Sequence, residues 1–493
     1  MAKENQDGLT VKKEEKTIEH PEALRARKED FSEWYNQIIA VAGILDKRYD
    51  VKGMYVWMPY GYEIMLNLKR YWDTLYKEAG IQEMYFPLIV PEHYAGMNKK
   101  WFEGFRDEAF WVGGKDEKKL THILRPTGEP AMYPMFKLWI RTYTDLPLRI
   151  YETVSSFRYE TKHTRPIIRD REITMWFEIH TAHATQQEAE KEAALHQELY
   201  AHIWEYLALP YIRVRKPQWE CFPGALGAIE DYTIMPTGKA MENGSINMLG
   251  QAYAQAFDIR FKDERGKEDH VWQVCTGNGA RYLAAVIATH GDDKGLILPP
   301  TIAPLQTVIV PIYTKETKEK IEKKIDELVN ILRKSTVRVP ADLREETPGR
   351  KFYNWELKGV PLRLEIGPRD LEKKQVVLVR RDTGEKIAVA EKDIEKKIPA
   401  LLEEIQKNLY KRAKEHFDNH LVFVQDLKKI SAAVDSGKVI QVVWCGAEQC
   451  YKTIKKQGEG IDPFGTDANL VKKGKCIVCN QPSEELLYIS NTY

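Results

Sequence analysis

The segment that decides the fold is LPLRIYETVSSFRYETKHTRPIIRDREITMWFEIHTAH, residues 146–183. It is typical of two strands joined by a polar loop. Side chains two positions apart on a strand share a face. Arg158 and Glu160 are therefore predicted to point the same way, as are Arg169 and Arg171 on the following strand.

Three arginines and one glutamate on a strand pair need a counter-charge. A nucleoside triphosphate with an adenine base supplies both: its phosphates are the anion, and its amino group is a donor for the glutamate. The alternative interpretation is a surface ladder of cross-strand ion pairs. From this segment alone both interpretations stay open.

The elements around this segment predict a mixed, largely antiparallel sheet with helices packed on it, an α/β (α+β) fold. Amphipathic helices are predicted over 22–45, 61–79 and 185–208, and EMYFPLIVP (83–91) is predicted to be an apolar strand. The proline-punctuated LILPPTIAPLQ (296–306) indicates a linker.

Beyond the linker, strands alternate with charged helices over 314–334 and 396–417, which predicts a small α/β domain. The predicted domains are a tail over 1–19, a catalytic domain over 20–298, an α/β domain over 299–408 and a C-terminal domain over 409–493.

The bulk composition limits the class of protein. With 493 residues, 43% of them apolar, the chain can fold into several domains. Its 74 basic and 73 acidic residues argue against a surface that is basic throughout, yet a nucleic-acid partner needs only a local patch. No apolar run approaches the roughly 18 residues of a membrane span. The first residues form no apolar leader, so a disordered tail and a cytoplasmic location are expected.

Four of the six cysteines cluster near the C-terminus as Cys445-x4-Cys450 and Cys476-x2-Cys479. Two close pairs on turns can supply four thiolates to a tetrahedral Zn²⁺ ion. Unpaired thiols or disulfides are the alternatives. The spacing therefore predicts a structural zinc site in an α/β C-terminal domain.

Several motifs, taken together and in order, resemble the class II aminoacyl-tRNA synthetases of the prolyl type, in their archaeal/eukaryotic form. F-R-x-E, a loop and R-x-R-E resemble motif two of that class. EMYFPLIVP resembles motif one, whose proline, here Pro87, lies at a homodimer interface. The other matching segments are RPTGEPAMYP (125–134), TGNGARYLAAVIATHGDDKGLILPP (276–300, motif three) and GRKFYNWELKGVPLRLEIGPRDL (349–371, anticodon-binding domain).

The resemblance implies an ATP-dependent attack of an amino-acid carboxylate on the α-phosphorus, followed by transfer to tRNA. It implies that Arg158 holds the carboxylate and α-phosphate, Glu160 reads adenine, Arg169 holds the outer phosphates, and Arg281 stacks on adenine. Magnesium is expected to bridge phosphates. Glu242 lies where the family usually has glutamine and is a candidate magnesium ligand.

For the amino acid, the resemblance implies that Thr127 and Glu129 bind the imino group of proline. A secondary ammonium has two N–H donors, which a hydroxyl and a carboxylate suit. Trp176 and His180 resemble pocket walls, although alone they would more often be an ordinary core aromatic and a satisfied core histidine. Further pocket candidates are Ser245, Asn247 and Thr276.

Some of these positions depart from the family pattern. Asn247 replaces a histidine, Thr276 replaces an aromatic residue, and Gly128 stands where serine is common. The changes are either neutral drift or altered specificity, since one pocket change moves discrimination by about 1–3 kcal/mol. The leading hypothesis is proline activation. The alternatives are a paralogue for a proline analogue or another amino acid, an inhibitor-resistant copy, and an inert tRNA- or protein-binding module.

Basic and aromatic residues interleave in ADLREETPGRKFYNWELKGVPLRLEIGPRDL, residues 341–371. Basic groups contact phosphates while aromatic rings stack on unpaired bases. A solvated charged face with core aromatics is the alternative for most of these residues individually. The candidates are Arg344, Arg350, Lys351, Phe352, Tyr353, Trp355, Arg363 and Arg369.

Overall fold

The fold is that of a computed structural model, which describes residues 21, 23–98, 102–103, 106–114, 120–161, 163–221 and 224–493. The tail predicted over 1–19 lies outside these residues. Among the described helices, none is both long and apolar enough to cross a membrane.

Apart from the first, the predicted helices begin and end close to their predicted limits. Gln186–Tyr206 starts at a capping box, in which Thr185 and Glu188 satisfy each other's backbone N–H groups. The first helix is shorter than predicted. It begins at Phe31, after the N-cap Asp30, whose side chain accepts from Glu33 N, so Leu24 lies outside it. The helices are Phe31–Val41, Pro59–Glu78, Glu92–Ala95, Glu129–Trp139, Gln186–Tyr206, Ala252–Phe257, Arg281–His290, Lys318–Lys334, Pro348–Leu357, Pro368–Lys373, Ile394–His420, Ile430–Asp435 and Glu448–Lys455, with 3-10 turns at Arg106–Glu108, Tyr143–Asp145, Gln218–Glu220, Glu391–Asp393 and Leu427–Lys429.

The strands form one large sheet and four small ones within the described part of the chain. In chain order they are β1 (Leu45–Asp46), β2 (Val56–Trp57), β3 (Gln82–Glu83), β4 (Ile89–Pro91), β5 (Phe110–Gly113), β6 (Leu120–Leu124), β7 (Leu148–Phe157), β8 (Glu172–His183), β9 (Ile212–Arg215), β10 (Gly227–Ile234), β11 (Ala240–Gly250), β12 (Arg260–Lys262), β13 (Glu268–His270), β14 (Trp272–Asn278), β15 (Thr307–Pro311), β16 (Leu362–Ile366), β17 (Gln375–Arg380), β18 (Lys386–Ala390), β19 (Leu421–Phe423), β20 (Val439–Trp444), β21 (Asp462–Lys475) and β22 (Pro482–Ser490).

The large sheet has the order β19-β20-β22-β21-β9-β10-β11-β14-β8-β7-β3 and is mostly antiparallel, as predicted. On one face of the sheet, helices 59–78, 186–206 and 281–290 pack to form a first hydrophobic core. A second core covers the other face with helices 129–139 and 252–257. The sheet is therefore a central layer with helices on both sides.

The C-terminal strands belong to this same sheet. β21 pairs with β9 through Thr466↔Arg215 and Asp467↔Val214, which joins the region predicted over 409–493 to the catalytic strands. By contrast, β15–β18 form a separate sheet of order β15-β16-β17-β18, covered by helices 318–334 and 394–420. The small α/β unit after the linker is thus present.

The strand predicted over 83–91 is only partly formed. β3 ends at Glu83, and β4 covers just Ile89–Pro91. Between them Phe86 N donates to a side-chain oxygen of Glu152, at 3.2 Å, instead of to a neighbouring strand. This buried carboxylate takes the donor that a ladder bond would need, so the segment runs beside β7 without regular pairing.

The contact between the hairpin β10–β11 and the C-terminal region can be tested by substituting Gly238. Gly238 has φ +76°, and a Cβ added there would lie 2.0 Å from Gly437 O. Gly238→Ala should cost about 1–2 kcal/mol for the left-handed backbone and about 1–3 kcal/mol more for overpacking. We expect a clear fall in melting temperature, measured by circular dichroism.

Gly266→Ala is the matched control, because Gly266 has φ +79° but nothing lies within 4 Å of an added Cβ. It should show only the backbone cost. Equal melting temperatures for the two variants would contradict the close approach of Gly238 to Gly437.

Candidate functional site

One cavity of about 400 Å³ opens beside the central strands of the large sheet. Its walls come from β8, β11 and β14, from the loop between β7 and β8, and from the start of helix 281–290. Twelve residues predicted to bind the nucleotide or the amino acid line it together: Thr127, Glu129, Arg158, Glu160, Arg169, Trp176, His180, Glu242, Ser245, Asn247, Thr276 and Arg281.

Arg281 is fixed at one end of this cavity as the first residue of helix 281–290. Its Nε donates to Ile168 O at 2.8 Å, and its Nη1 donates to Glu242 O and Glu242 Oε2, both at 3.0 Å. Hydrogen bonds of a guanidinium lie in its plane, so these contacts set the orientation while its faces stay suited to stacking. Glu242 is therefore already paired with a cation.

Arg158 follows β7 directly. Its guanidinium lies 5.4 Å from the ring centroid of Trp176, and its Nε donates to Pro126 O at 3.3 Å. Arg169 and Glu160 line the same end of the cavity, each half-buried. These residues therefore share a concave site. The alternative interpretation, a ladder of ion pairs on the surface, would not form such a cavity.

The prediction that Arg169 and Arg171 share a strand face is wrong. β7 ends at Phe157 and β8 begins at Glu172, so both arginines lie in the connecting segment, where strand alternation does not apply. Arg171 points away from the cavity. Its guanidinium lies 4.0 Å from the ring centroid of Tyr159 and donates to Glu160 O, so Arg171 holds the loop backbone.

The other end of the cavity is acidic. Thr127 Oγ1 lies 2.7 Å from Glu129 Oε2 and 2.5 Å from Glu178 Oε1. A hydroxyl has one proton, so it can donate to only one of the two carboxylates at a time. Burial, and then the negative charge of Glu178, raise the pKa of Glu129 to about 7. This end therefore favours a bound cation or proton.

Glu178 was missed by the sequence reasoning, although a signal existed. It lies between Trp176 and His180 on β8, and period-two alternation puts all three on one face. Besides the Thr127 contact, its Oε1 accepts from Gly128 N at 3.0 Å. A Cβ added at Gly128 would lie 2.8 Å from Glu178 Oε2, which explains why glycine suits this position.

Beneath this end lies a buried network of charges. Arg125 Nη1 donates to Glu152 and lies 3.9 Å from Glu178 Oε2. Arg125, Glu152, Glu178 and Glu129 are each at most 2% exposed. One guanidinium thus faces three carboxylates, and burial raises the pKa of Glu152 to about 7 despite its pairing with Arg125.

His180 and Trp176 both line the cavity, His180 as a deeply buried neutral ring. Burial lowers the pKa of His180 to about 4, and its Nδ1 is 3.0 Å from the hydroxyl of Tyr133. Trp176 is half-buried and packs across Gly277, where an added Cβ would lie 2.6 Å from the indole ring. Trp176 is therefore a cavity wall and not a core aromatic.

The floor of the amino-acid end is polar. On β11, Asn247 Nδ2 donates to Ser245 Oγ at 3.3 Å. On the neighbouring strand β14, Thr276 is paired with Ile246 and Cys275 with Asn247. Ser245 and Asn247 therefore share the cavity face with Cys275, as predicted for pocket residues. Thr276 borders the cavity, but strand alternation directs its side chain to the opposite face of the sheet, beside Tyr200.

The four C-terminal cysteines come together away from this cavity. One sulfur atom from each lies within 4.8 Å of the others. Cys445 Sγ is 3.6 Å from both Cys450 Sγ and Cys479 Sγ. Tetrahedral ligation with Zn–S bonds of about 2.3 Å separates sulfurs by about 3.8 Å, whereas a disulfide needs about 2.05 Å. The four sulfur atoms, including that of Cys476, therefore fit the coordination of a zinc ion and not a disulfide.

Comparison with known proteins agrees with this geometry. Residues 110–290 match the family model of the tRNA synthetase class II core domain (G, H, P, S and T), and residues 306–401 match that of an anticodon binding domain. The chain is 42% identical to the proline–tRNA ligase of Thermococcus kodakarensis, covering 94% of this chain and 98% of the relative. It is 41% identical to that of Methanopyrus kandleri, covering 96% and 98%.

Solved structures show the same likeness. Prolyl-tRNA synthetase from Cryptosporidium parvum, complexed with halofuginone and AMPPNP, superposes with a TM-score of 0.90 at 35% identity, over 95% of this chain and 99% of that one. Its complex with L-proline and AMP gives a TM-score of 0.88 at 34% identity, over the same shares. The chain therefore belongs to the class II prolyl-tRNA synthetases of the archaeal/eukaryotic type.

Proposed function

We propose that the chain activates proline with ATP and transfers it to tRNA-Pro, as a cytoplasmic enzyme. The observation that carries the proposal is the cavity whose one end presents arginines and whose other end presents excess carboxylates. An amino acid needs both, because its carboxylate must meet phosphate while its ammonium is held apart. The names of the relatives support proline over an analogue or an inert module.

The reaction needs little proton chemistry. The amino-acid carboxylate is already an anion, so the site must position it and neutralise charge at the α-phosphorus. Arg158, held over Trp176, would contact both groups. Arg169 serves the outer phosphates, Arg281 stacks on adenine and Glu160 accepts from its amino group.

The acidic end suits the secondary ammonium of proline. Its two N–H donors would go to Thr127 Oγ1 and a carboxylate oxygen of Glu129, with Glu178 adding negative charge behind them. Trp176 and the neutral ring of His180 close the pocket around the ring of the amino acid. Ser245 and Asn247 form the floor.

Magnesium fits the nucleotide end through oxygen donors. Glu230 and Glu242 both line the cavity there, and carboxylate oxygens are the ligands that Mg²⁺ prefers. When bound, the ion neutralises charge on the phosphates. Glu242, already bonded to Arg281, links the helix start to this donor set.

We also assign a structural zinc ion to Cys445, Cys450, Cys476 and Cys479, on the sulfur spacing given above. The cluster stands beside β20, at the end of the large sheet farthest from β3 in strand order. Zinc would fix the turns that flank β20 and β21 and would not take part in the chemistry.

tRNA would be read by the unit that contains β15–β18. Arg344 lies 5.8 Å from the ring centroid of Trp355, and Tyr353 is exposed. Two of the sequence candidates have structural partners instead: Lys351 is buried and donates to Asp342 O, and Arg363 pairs with Glu365. Arg344 and Trp355 likewise both bond to Asp342. The exposed candidates Arg350, Tyr353 and Arg369 are therefore the stronger ones for contact with the anticodon loop.

A homodimer is supported by exposed apolar side chains around Pro87, the motif-one proline. Tyr85 is 73% exposed and Leu138 is 57% exposed. Solvent-exposed apolar patches of this kind mark protein interfaces. The other exposed apolar residues are Met84 and Ile89, which flank Pro87 in sequence, and Trp139, whose ring centroid lies 5.9 Å from that of Phe86.

Arg158→Ala tests the reaction. Removing this guanidinium should lower proline-dependent ATP–pyrophosphate exchange by about 100- to 1,000-fold, as loss of a transition-state donor does. Arg260→Ala is the control, because Arg260 lies on the outer strand β12 and pairs with Asp258. Full exchange in the Arg158 variant, or no exchange with proline in the unaltered chain, would overturn the proposal.

Glu129 should give proline binding a pH dependence. Its pKa of about 7 means that the carboxylate loses its charge as the pH falls through 7. From pH 8, one unit above this pKa, to pH 6, one unit below it, the ionised fraction of Glu129 falls about tenfold. KM for proline should therefore rise about tenfold over this range. Glu129→Gln should raise KM at pH 8 and flatten the profile. A variant that keeps the same pH profile would exclude Glu129 as the titrating group.

Leu138→Lys tests the homodimer. A cation placed in an apolar interface should shift the sedimentation of the chain from dimer to monomer. Leu470→Lys is matched to it, because Leu470 is 59% exposed and lies on β21, away from the Pro87 patch. Dimers of equal stability in both variants would place the interface elsewhere.

A further inference from the structure

Three side chains at the amino-acid end together form a set of metal-ligand type, which proline activation does not require. A carboxylate oxygen of Glu129, a ring nitrogen of His180 and Sγ of Cys275 all lie within 4.8 Å of one another, and all three residues are buried. Cys275 Sγ is 3.9 Å from Glu129 Oε1. Zn–S of about 2.3 Å and Zn–O of about 2.0 Å would put these two atoms about 3.5 Å apart in a tetrahedral site.

His180 is prepared to act as a ligand. Its Nδ1 faces the hydroxyl of Tyr133, and its Nε2 is buried without a hydrogen-bond partner among the described residues. An imidazole that donates from Nδ1 presents a lone pair at Nε2, the arrangement found behind metal-bound histidines. The low pKa of His180, caused by burial, keeps the ring neutral.

The charges around these three side chains favour a bound cation. Arg125 pairs with Glu152 and Glu178, with Glu129 as a further charged neighbour, and Glu178 Oε2 accepts no hydrogen bond in the described part of the chain. Three buried carboxylates near one guanidinium leave excess negative charge, which is costly to bury, and an ion of charge +2 would offset it. A soft thiol next to an imidazole selects zinc over magnesium.

We propose that Glu129, His180 and Cys275 bind a divalent ion of the zinc type, which excludes the amino acid from the site. Three protein ligands leave a fourth position for water. On binding, the Cys275 thiol loses its proton to solvent and Glu129 is held as the carboxylate. The ammonium and the ion would need the same Glu129 carboxylate, so the two cations cannot be bound together. This exclusion rests on the proposed role of Glu129 in the reaction.

The site can be tested by measuring bound zinc. The chain is dialysed to equilibrium against buffered free zinc, and its zinc content is then measured by mass spectrometry. The unaltered chain should bind about two ions, one in the four-cysteine cluster and one here. Cys275→Ser, which keeps the side-chain shape, should bind about one. Cys221→Ser is the matched control, because Cys221 lines the same cavity but is not one of the three ligands. It should still bind about two.

Proline added to the dialysis should release one ion from the unaltered chain and none from Cys275→Ser. Equal zinc content in the unaltered chain and Cys275→Ser would overturn the site, and a second ion that proline does not displace would overturn the exclusion. Both variants are first shown to fold by their melting curves. If the chain binds the second ion but shows no exchange with proline, the proposed function fails and the metal site stands.

Discussion

The ion pair between Arg125 and Glu152 is the interaction on which the amino-acid end depends. Both side chains are fully buried, and removal of one partner of such a pair costs about 3–5 kcal/mol. The same residues also organise the backbone. Glu152 accepts from Phe86 N, and Arg125 N donates to Leu88 O, so the pair ties the segment around Pro87 to β7. The acidic end of the cavity and the proposed dimer surface therefore share one support.

The nucleotide end is built on a different principle. Its groups lie on a loop and at a helix start, half-exposed, and backbone carbonyls fix their orientation. Arg281 is held by Ile168 O and Glu242 O, and Arg171 holds Glu160 O from behind. A large polar ligand can enter such a site with little desolvation, whereas a small amino acid must be read in a dry pocket by a few closely placed charges.

The sequence predicted what depends on local pattern and on ordered motifs. Helical periodicity located the long helices, and the motifs assembled twelve residues that the fold brings into one cavity. The sequence-based predictions failed where the role of a residue depends on partners that are distant in the chain. Arg171 was misplaced because strand ends cannot be read from alternation alone. Glu178 was passed over because its role depends on Thr127 and Gly128, which are 50 or more residues away in the chain. The raised pKa of Glu129 depends on burial, which one chain segment does not reveal.

The pairing of β21 with β9 limits how this protein could exchange parts during evolution. An unpaired β9 would expose backbone donors and acceptors as an open sheet edge, which invites aggregation. A chimaera with a foreign C-terminal region would have to reproduce the register of Thr466 against Arg215, and the contact of Ser490 Oγ with Gly238 O as well. The two regions are therefore expected to be inherited as a unit, while the β15–β18 unit, with a sheet of its own, is free of this requirement.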